Sequence, residues 1–167
     1  MKAKRHFRNG MAGLMLALPL SATAVDVLAV KTIGMELARD IANEAVLACR
    51  AAGYQVSAVV VDKGGNLRAA LRDDLASRFT LQIAEEKANM AVMAGVDSGA
   101  FRASREDIRL DLNHIDGIIV MRGGVQIVAG GNRIGAVGVS GAPGGDKDEA
   151  CARAALKKYE ERLEFAD

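Results

Sequence analysis

The sequence predicts an α/β (α+β) fold: a five-stranded, mostly antiparallel sheet covered by helices. Three observations carry that expectation. From Asp116 to Cys151 the chain reads DGIIVMRGGVQIVAGGNRIGAVGVSGAPGGDKDEAC, so short β-branched runs alternate with glycine pairs before a helix opens. Val56 to Val61 is an apolar run of the buried-strand type, followed by the turn residues Asp62, Lys63, Gly64, Gly65 and Asn66. Ala38, Ile41, Ala45, Ala48 and Ala52 recur at helical spacing.

Taken in chain order, the first element is the helix that carries this alanine stripe. Glu36, Arg39, Asp40, Asn43 and Glu44 lie largely off the stripe, and Gly53 closes the helix. Val56 to Val61 and Leu67 to Leu71 then form a hairpin about the Asp62 turn. Thr80 is placed to cap a helix whose Leu81, Ala84, Ala88 and Ala91 face one side. Residues 96 to 114 are polar and weakly periodic, with a short helix near Ser98 to Phe101 and a loop that ends at His114. Gly123-Gly124 and Gly130-Gly131 read as tight turns between strands at Gly117 to Met121, Val125 to Ala129 and Arg133 to Ser140. Pro143 and Gly144-Gly145 break the last strand, and Asp146 with Glu149 makes a capping-box-like start to a final helix. Helices packed on a sheet are the simplest arrangement of that order.

The N-terminus has the layout of an export signal. Lys2, Lys4, Arg5 and Arg8 precede an apolar stretch from Met11 to Leu20, and Ala22-Thr23-Ala24 fits a small-residue cleavage site. Residues 1–24 therefore read as a signal peptide and 25–167 as a single domain, with a periplasmic or secreted location and no stable membrane span after cleavage. A retained anchor is the alternative, since Val25 to Val30 prolongs the mild hydrophobicity. Of 167 residues, 143 would remain, with 18 basic side chains against 21 acidic, a net charge of −3. That balance disfavours a nucleic-acid partner. Aromatic content is 4% and Trp is absent, so the core must rest on small residues at close approach.

Common catalytic and phosphate-binding patterns are missing. No G-x-G-x-x-G opens a helix, Lys147 lies outside P-loop spacing, and Ser140 in GVSGA does not make a nucleophile elbow. With one histidine after signal removal and two cysteines, there is no H-E-x-x-H and no paired C-x-x-C. Asp62, ahead of two glycines, is expected to cap its own turn rather than hold a metal.

The segments VVVDKGGNLRAALRDD, AEEKANMA, DGIIVMRGGVQIV and IGAVGVSGAPGGDKDEACA resemble the GlcG/HbpS-like haem-binding family, which also includes the C-terminal domain of PduO-type corrinoid adenosyltransferases. The resemblance runs from about Thr32 to Leu163. It implies a profilin-like sheet with helices packed on it, a homo-oligomer, and haem or a related tetrapyrrole as the bound small molecule. It also implies a role in haem capture, sensing or peroxide-dependent degradation, where bound iron supplies the chemistry. Two other functions stay open: an accessory or assembly subunit of an exported oxidoreductase, and an enzyme acting on a small oxygenated metabolite.

Candidate site residues follow from that resemblance. His114, beside Asn113 and Asp116, is the strong nitrogen ligand left for iron and so the metal candidate; the other reading is a loop histidine bonded to backbone. Arg102, Arg105 and Arg109, at spacings of three and four, gather on one face if the loop is helical and would suit haem propionates. A solvated charged surface is the alternative and the commoner case. Lys87 sits among Ile83, Ala84, Met90 and Ala91, and either meets a carboxylate of a ligand or partner subunit or snorkels into solvent, the favoured outcome. Cys49 lies late in the first helix and Cys151 early in the last. A disulfide is open to them in an oxidising compartment, but two buried thiols among alanines are the favoured state. Small-residue strands and Gly-rich turns leave little bulk to finish a monomer core, which also points to a homo-oligomer.

Overall fold

The run after Val56 forms β1 (Ser57–Asp62), and side chains that alternate along a strand serve two opposite layers. Ala58 and Val60 pack with α1 (Met35–Ala51) and α5 (Gly145–Lys158), whereas Val59 and Val61 pack with Ala84, Ala88 and Ala91 of α2 (Phe79–Ala94). The computed structural model that gives this arrangement describes residues 26–165; the expected signal peptide, residues 1–24, lies outside them. β2 (Leu67–Arg72), β3 (Gly124–Ala129) and β4 (Asn132–Ser140) complete an antiparallel sheet in the order β2-β1-β4-β3. The central pair is in register from Ser57 opposite Ser140 to Asp62 opposite Gly135. Three short helices, α3 (Ser98–Ser104), α4 (Arg109–Leu112) and α6 (Glu160–Glu164), lie outside the main layers. No helix among the described residues is long and apolar enough to cross a membrane.

Small residues set the layer spacing, as the composition requires. Gly138 of β4 faces α2 so closely that a Cβ there would run into the carbonyl oxygen of Ala84. The helix thus rests on strand backbone, not on a cushion of side chains. At the β1–β2 turn, Asp62 Oδ1 accepts from Gly64 N (2.8 Å) and Asn66 N (3.0 Å), the self-capping expected there.

Several details differ from the sequence reading. The sheet has four strands, since residues 118–121 form a loop that does not join it, with Met121 N turned back onto Ile119 O (2.9 Å). Their amides turn elsewhere: Val120 N donates to Asn113 Oδ1 (2.8 Å) and Ile119 N to Glu86 O of α2 (3.4 Å). α2 starts one residue before Thr80, whose hydroxyl bonds Ser77 O and Ser57 Oγ, each at 2.7 Å. α5 has Gly144 at its N-cap and Asp146 inside its first turn, where the helix dipole favours a carboxylate, so no capping box forms.

The cysteines require a correction. Cys49 and Cys151 are joined as a disulfide, with Cα atoms 5.3 Å apart, inside the distance such a bond needs. Their burial among alanines was expected, and the bond was not. α1 and α5 lie side by side on one sheet face with Ala45, Ala152 and Ala155 fully covered, so the backbones come close enough for the sulfurs to meet.

Candidate functional site

Beneath the joint between α2, β4 and α5 lies a buried ion pair. Lys87 is 1% exposed, and its Nζ donates to Asp148 Oδ2 (2.7 Å) and to Val139 O (3.0 Å). Asp148 Oδ1 accepts from Ala142 N (3.0 Å), so this carboxylate ties the strand–helix connection to α2. Burial pushes the Asp148 carboxyl above the usual carboxylate range, and Lys87 pulls the other way. The expectation that Lys87 snorkels is thereby corrected. Its charge does meet a carboxylate, but one from its own chain. Room for the ammonium exists because Gly123 (φ +124°) and Gly124 pass over it: a Cβ on Gly123 would lie 3.1 Å from Lys87 Nζ.

Above this pair the chain builds an open groove. Ser98 Oγ accepts from Gly124 N (2.9 Å) and Asp97 Oδ1 from Gln126 N (2.9 Å), which pins the start of α3 onto β3 and aims its last turn, with Arg102, over the loop ahead of β3. Gly99 lets α3 approach Arg122, whose Nε donates to Glu149 Oε2 (2.9 Å). Glu149 is also held by Arg153 (2.7 Å), which reaches Asp97 (2.6 Å) as well. Arg122 is thus fixed from one side while its guanidinium stays half exposed. Arg102, Arg109 and Arg122 line a groove of about 650 Å³, together with Leu110, Val120 and Met121, and Asp146 stands at its rim. A second hollow of about 330 Å³ continues it and shares the same three arginines.

The candidates from sequence separate here. Arg109 lies in the groove wall, with Glu106 3.5 Å away. Arg102 is in the wall too and has no ion pair with any described carboxylate. Arg105 turns away to a two-bond pair with Asp107, both at 3.0 Å, and its hydrogen bonds hold the Asp107 carboxyl below the usual range. His114 is exposed in the turn after α4; its backbone N–H donates to Asp111 O (3.1 Å), and its neighbour Asn113, not His114 itself, lines the groove. Lys87 lies in the interior. Arg122 and Met121 escaped the sequence reading because the strand assigned to 117–121 hid a loop. Among the described residues no group of three or more His, Cys, Asp and Glu is placed to hold a metal ion.

A family model described as haem degrading protein HbpS-like matches residues 33–157, which span the chain from the segment before α1 into α5. The chain belongs to the HbpS-like family. Streptomyces reticuli HbpS, solved as a double mutant, is 32% identical, over 86% of this chain and 97% of its own, with a TM-score of 0.75. Klebsiella pneumoniae protein ORFY is 26% identical, over 83% of this chain and 98% of its own, with a TM-score of 0.76. PduOC, solved in complex with haem, is 20% identical over 75% of this chain and 94% of its own, and its TM-score of 0.68 marks a likeness of fold. No curated protein matches the chain. HbpS-like membership gives the protein a haem-related role in general terms.

Proposed function

We propose that this protein binds haem in the arginine-lined groove. The observation that carries the reading is the wall itself: three guanidinium groups, Arg102, Arg109 and Arg122, beside the apolar surface of Leu110, Val120 and Met121. Guanidinium pairs with carboxylate through two parallel hydrogen bonds, and an apolar wall suits the face of a macrocycle. The donor set therefore fits a flat apolar ligand with carboxylate arms. His114, next in the chain to Asn113 of the wall, is the imidazole we assign as the residue that would hold the iron. Haem bound this way supplies iron chemistry with peroxide, which suits capture, sensing or slow degradation better than electron transfer. Arg102, Arg109 and Arg122 would hold the carboxylates, and Leu110, Val120 and Met121 would pack against the macrocycle.

Export to the periplasm or beyond, after cleavage at Ala24, belongs to the same proposal. A buried disulfide supports it, because such bonds persist in oxidising compartments. A homo-oligomer is proposed too, supported by Leu67, Leu75 and Phe79, apolar side chains more than half exposed beside the β2 edge.

A haem titration read at the Soret band tests the site. The wild type is expected to saturate, Arg102→Gln/Arg109→Gln to bind about tenfold more weakly, and His114→Ala to bind with an altered spectrum. A wild type without a saturable Soret change defeats the proposal, and an unaltered His114→Ala spectrum moves the iron contact elsewhere.

A further inference from the structure

At the far end of β3 and β4 from the arginine groove's loop, a second cleft has the makings of a site for organic anions. Most described lysines and arginines are held in ion pairs, as Arg50 is with Asp73 and Lys158 with Glu44. Lys31, Lys63 and Arg133 pair with no described carboxylate, and all three line one cleft of about 610 Å³. None of the residues lining it is acidic. Asp62, which adjoins Lys63, is engaged by the amides of Gly64 and Asn66 and by the Asn66 side chain. Three like charges gathered without a counter-charge raise the local concentration of anions.

The three cations come from separate elements with fixed positions. Lys31 precedes Ile33, which is 1% exposed and donates its amide to Ile134 O (3.0 Å), so the segment leading into α1 is anchored on β4. Lys63 stands in the Asp62-braced turn. Arg133 is the second residue of β4, and its guanidinium lies against the end of α2, where a Cβ on Gly95 would strike Nη1; the negative end of the helix dipole favours a cation there. Between these charges the wall contains Val30 and Val92, and Gln126 is held in place by donating its side-chain amide to Ala91 O (2.7 Å).

We propose that this cleft binds a small organic polyanion carrying two or three carboxylates. Its volume lies within the range of small-molecule pockets and exceeds what an inorganic ion fills. Cations on three elements match charges spread along one molecule, and the two valines match a carbon skeleton between them. The site is independent of the haem groove and shares no lining residue with it.

Calorimetric titration of the full chain with citrate, against inorganic phosphate as a second probe and sodium chloride at matched ionic strength, decides the matter. Citrate is expected to bind saturably, with amide shifts at Gln126, Gly131 and Asn132 in ¹⁵N spectra. Lys63→Gln/Arg133→Gln should weaken it about tenfold, since exposed charge pairs reach a few-fold each, while Arg102→Gln leaves it unchanged. Absence of saturable citrate binding, equal affinity for phosphate, an unaffected double variant, or shifts centred on Arg102 and Arg122 would each overturn the assignment.

Discussion

Removing one half of the Lys87–Asp148 pair leaves the other charge in a site that water does not reach. Breaking such a pair costs about 3–5 kcal/mol, whereas replacing both partners by apolar groups is far milder. Lys87→Met is therefore expected to lower stability in urea by about that amount, and Lys87→Met/Asp148→Leu to recover most of it. Equal losses in the single and double variants would mean that the pair is not coupled. Asp73 gives a pH effect of definite sign. Hydrogen bonds from Arg50 (2.6 and 3.0 Å) hold its folded-state carboxyl below the ordinary 3.8, so its stabilisation is present above that value and is lost as the pH falls through the folded value. Asp148, shifted upward, contributes the reverse: its term is present at low pH and lost as the pH rises through its folded value. Asp73→Asn should consequently flatten the loss of stability below pH 3.8, measured as melting temperature against pH; an unchanged acid limb would refute this. At this scale the sequence was half legible. Ile83, Ala84, Met90 and Ala91 marked Lys87 as sitting on an apolar face, but its partner is 61 residues away, and no spacing rule reaches that far.

Helices and strands were largely readable because their signals are local. The alanine stripe of α1, the Asp62 turn and the Gly130-Gly131 hairpin each specify their own geometry. Residues 117–121 misled for the same reason: β-branched composition favours extended backbone, and whether that backbone finds a strand partner is decided by Asn113 and α2. The disulfide belongs to this level as well, since it joins two helices whose proximity only the folded sheet creates. It spans 102 residues, and a loop of that size gives about 4–5 kcal/mol in the chain-entropy account. Cys49→Ala/Cys151→Ala, or the reduced wild type, should unfold at lower urea by a difference of that order. A reduced protein with an unshifted midpoint would show that packing alone holds α1 to α5.

For the whole molecule, the segments around Gly123-Gly124 and Gly138 were among those that carried the family resemblance, and in the fold close backbone contact restricts those positions to glycine. The groove was less legible: its arginines come from α3, α4 and the loop before β3, which meet only in three dimensions. Export and self-association are testable together. Native mass measurement on protein from the outer compartment is expected to give a multiple of one chain that begins at Val25. A single-chain mass at micromolar concentration counts against the oligomer, and retention of Met1 to Ala24 against cleavage.

The sheet order β2-β1-β4-β3 separates neighbours in space from neighbours in synthesis. β1 acquires β2 at once, yet its other edge waits for β4, and Ser57 meets Ser140 only when most of the chain exists. Distant pairings of this kind slow folding, and until they form the valine run of β1 presents an open edge. The interval between those two events is when this chain is most exposed to aggregation, so whatever shortens it raises the share that reaches the native form.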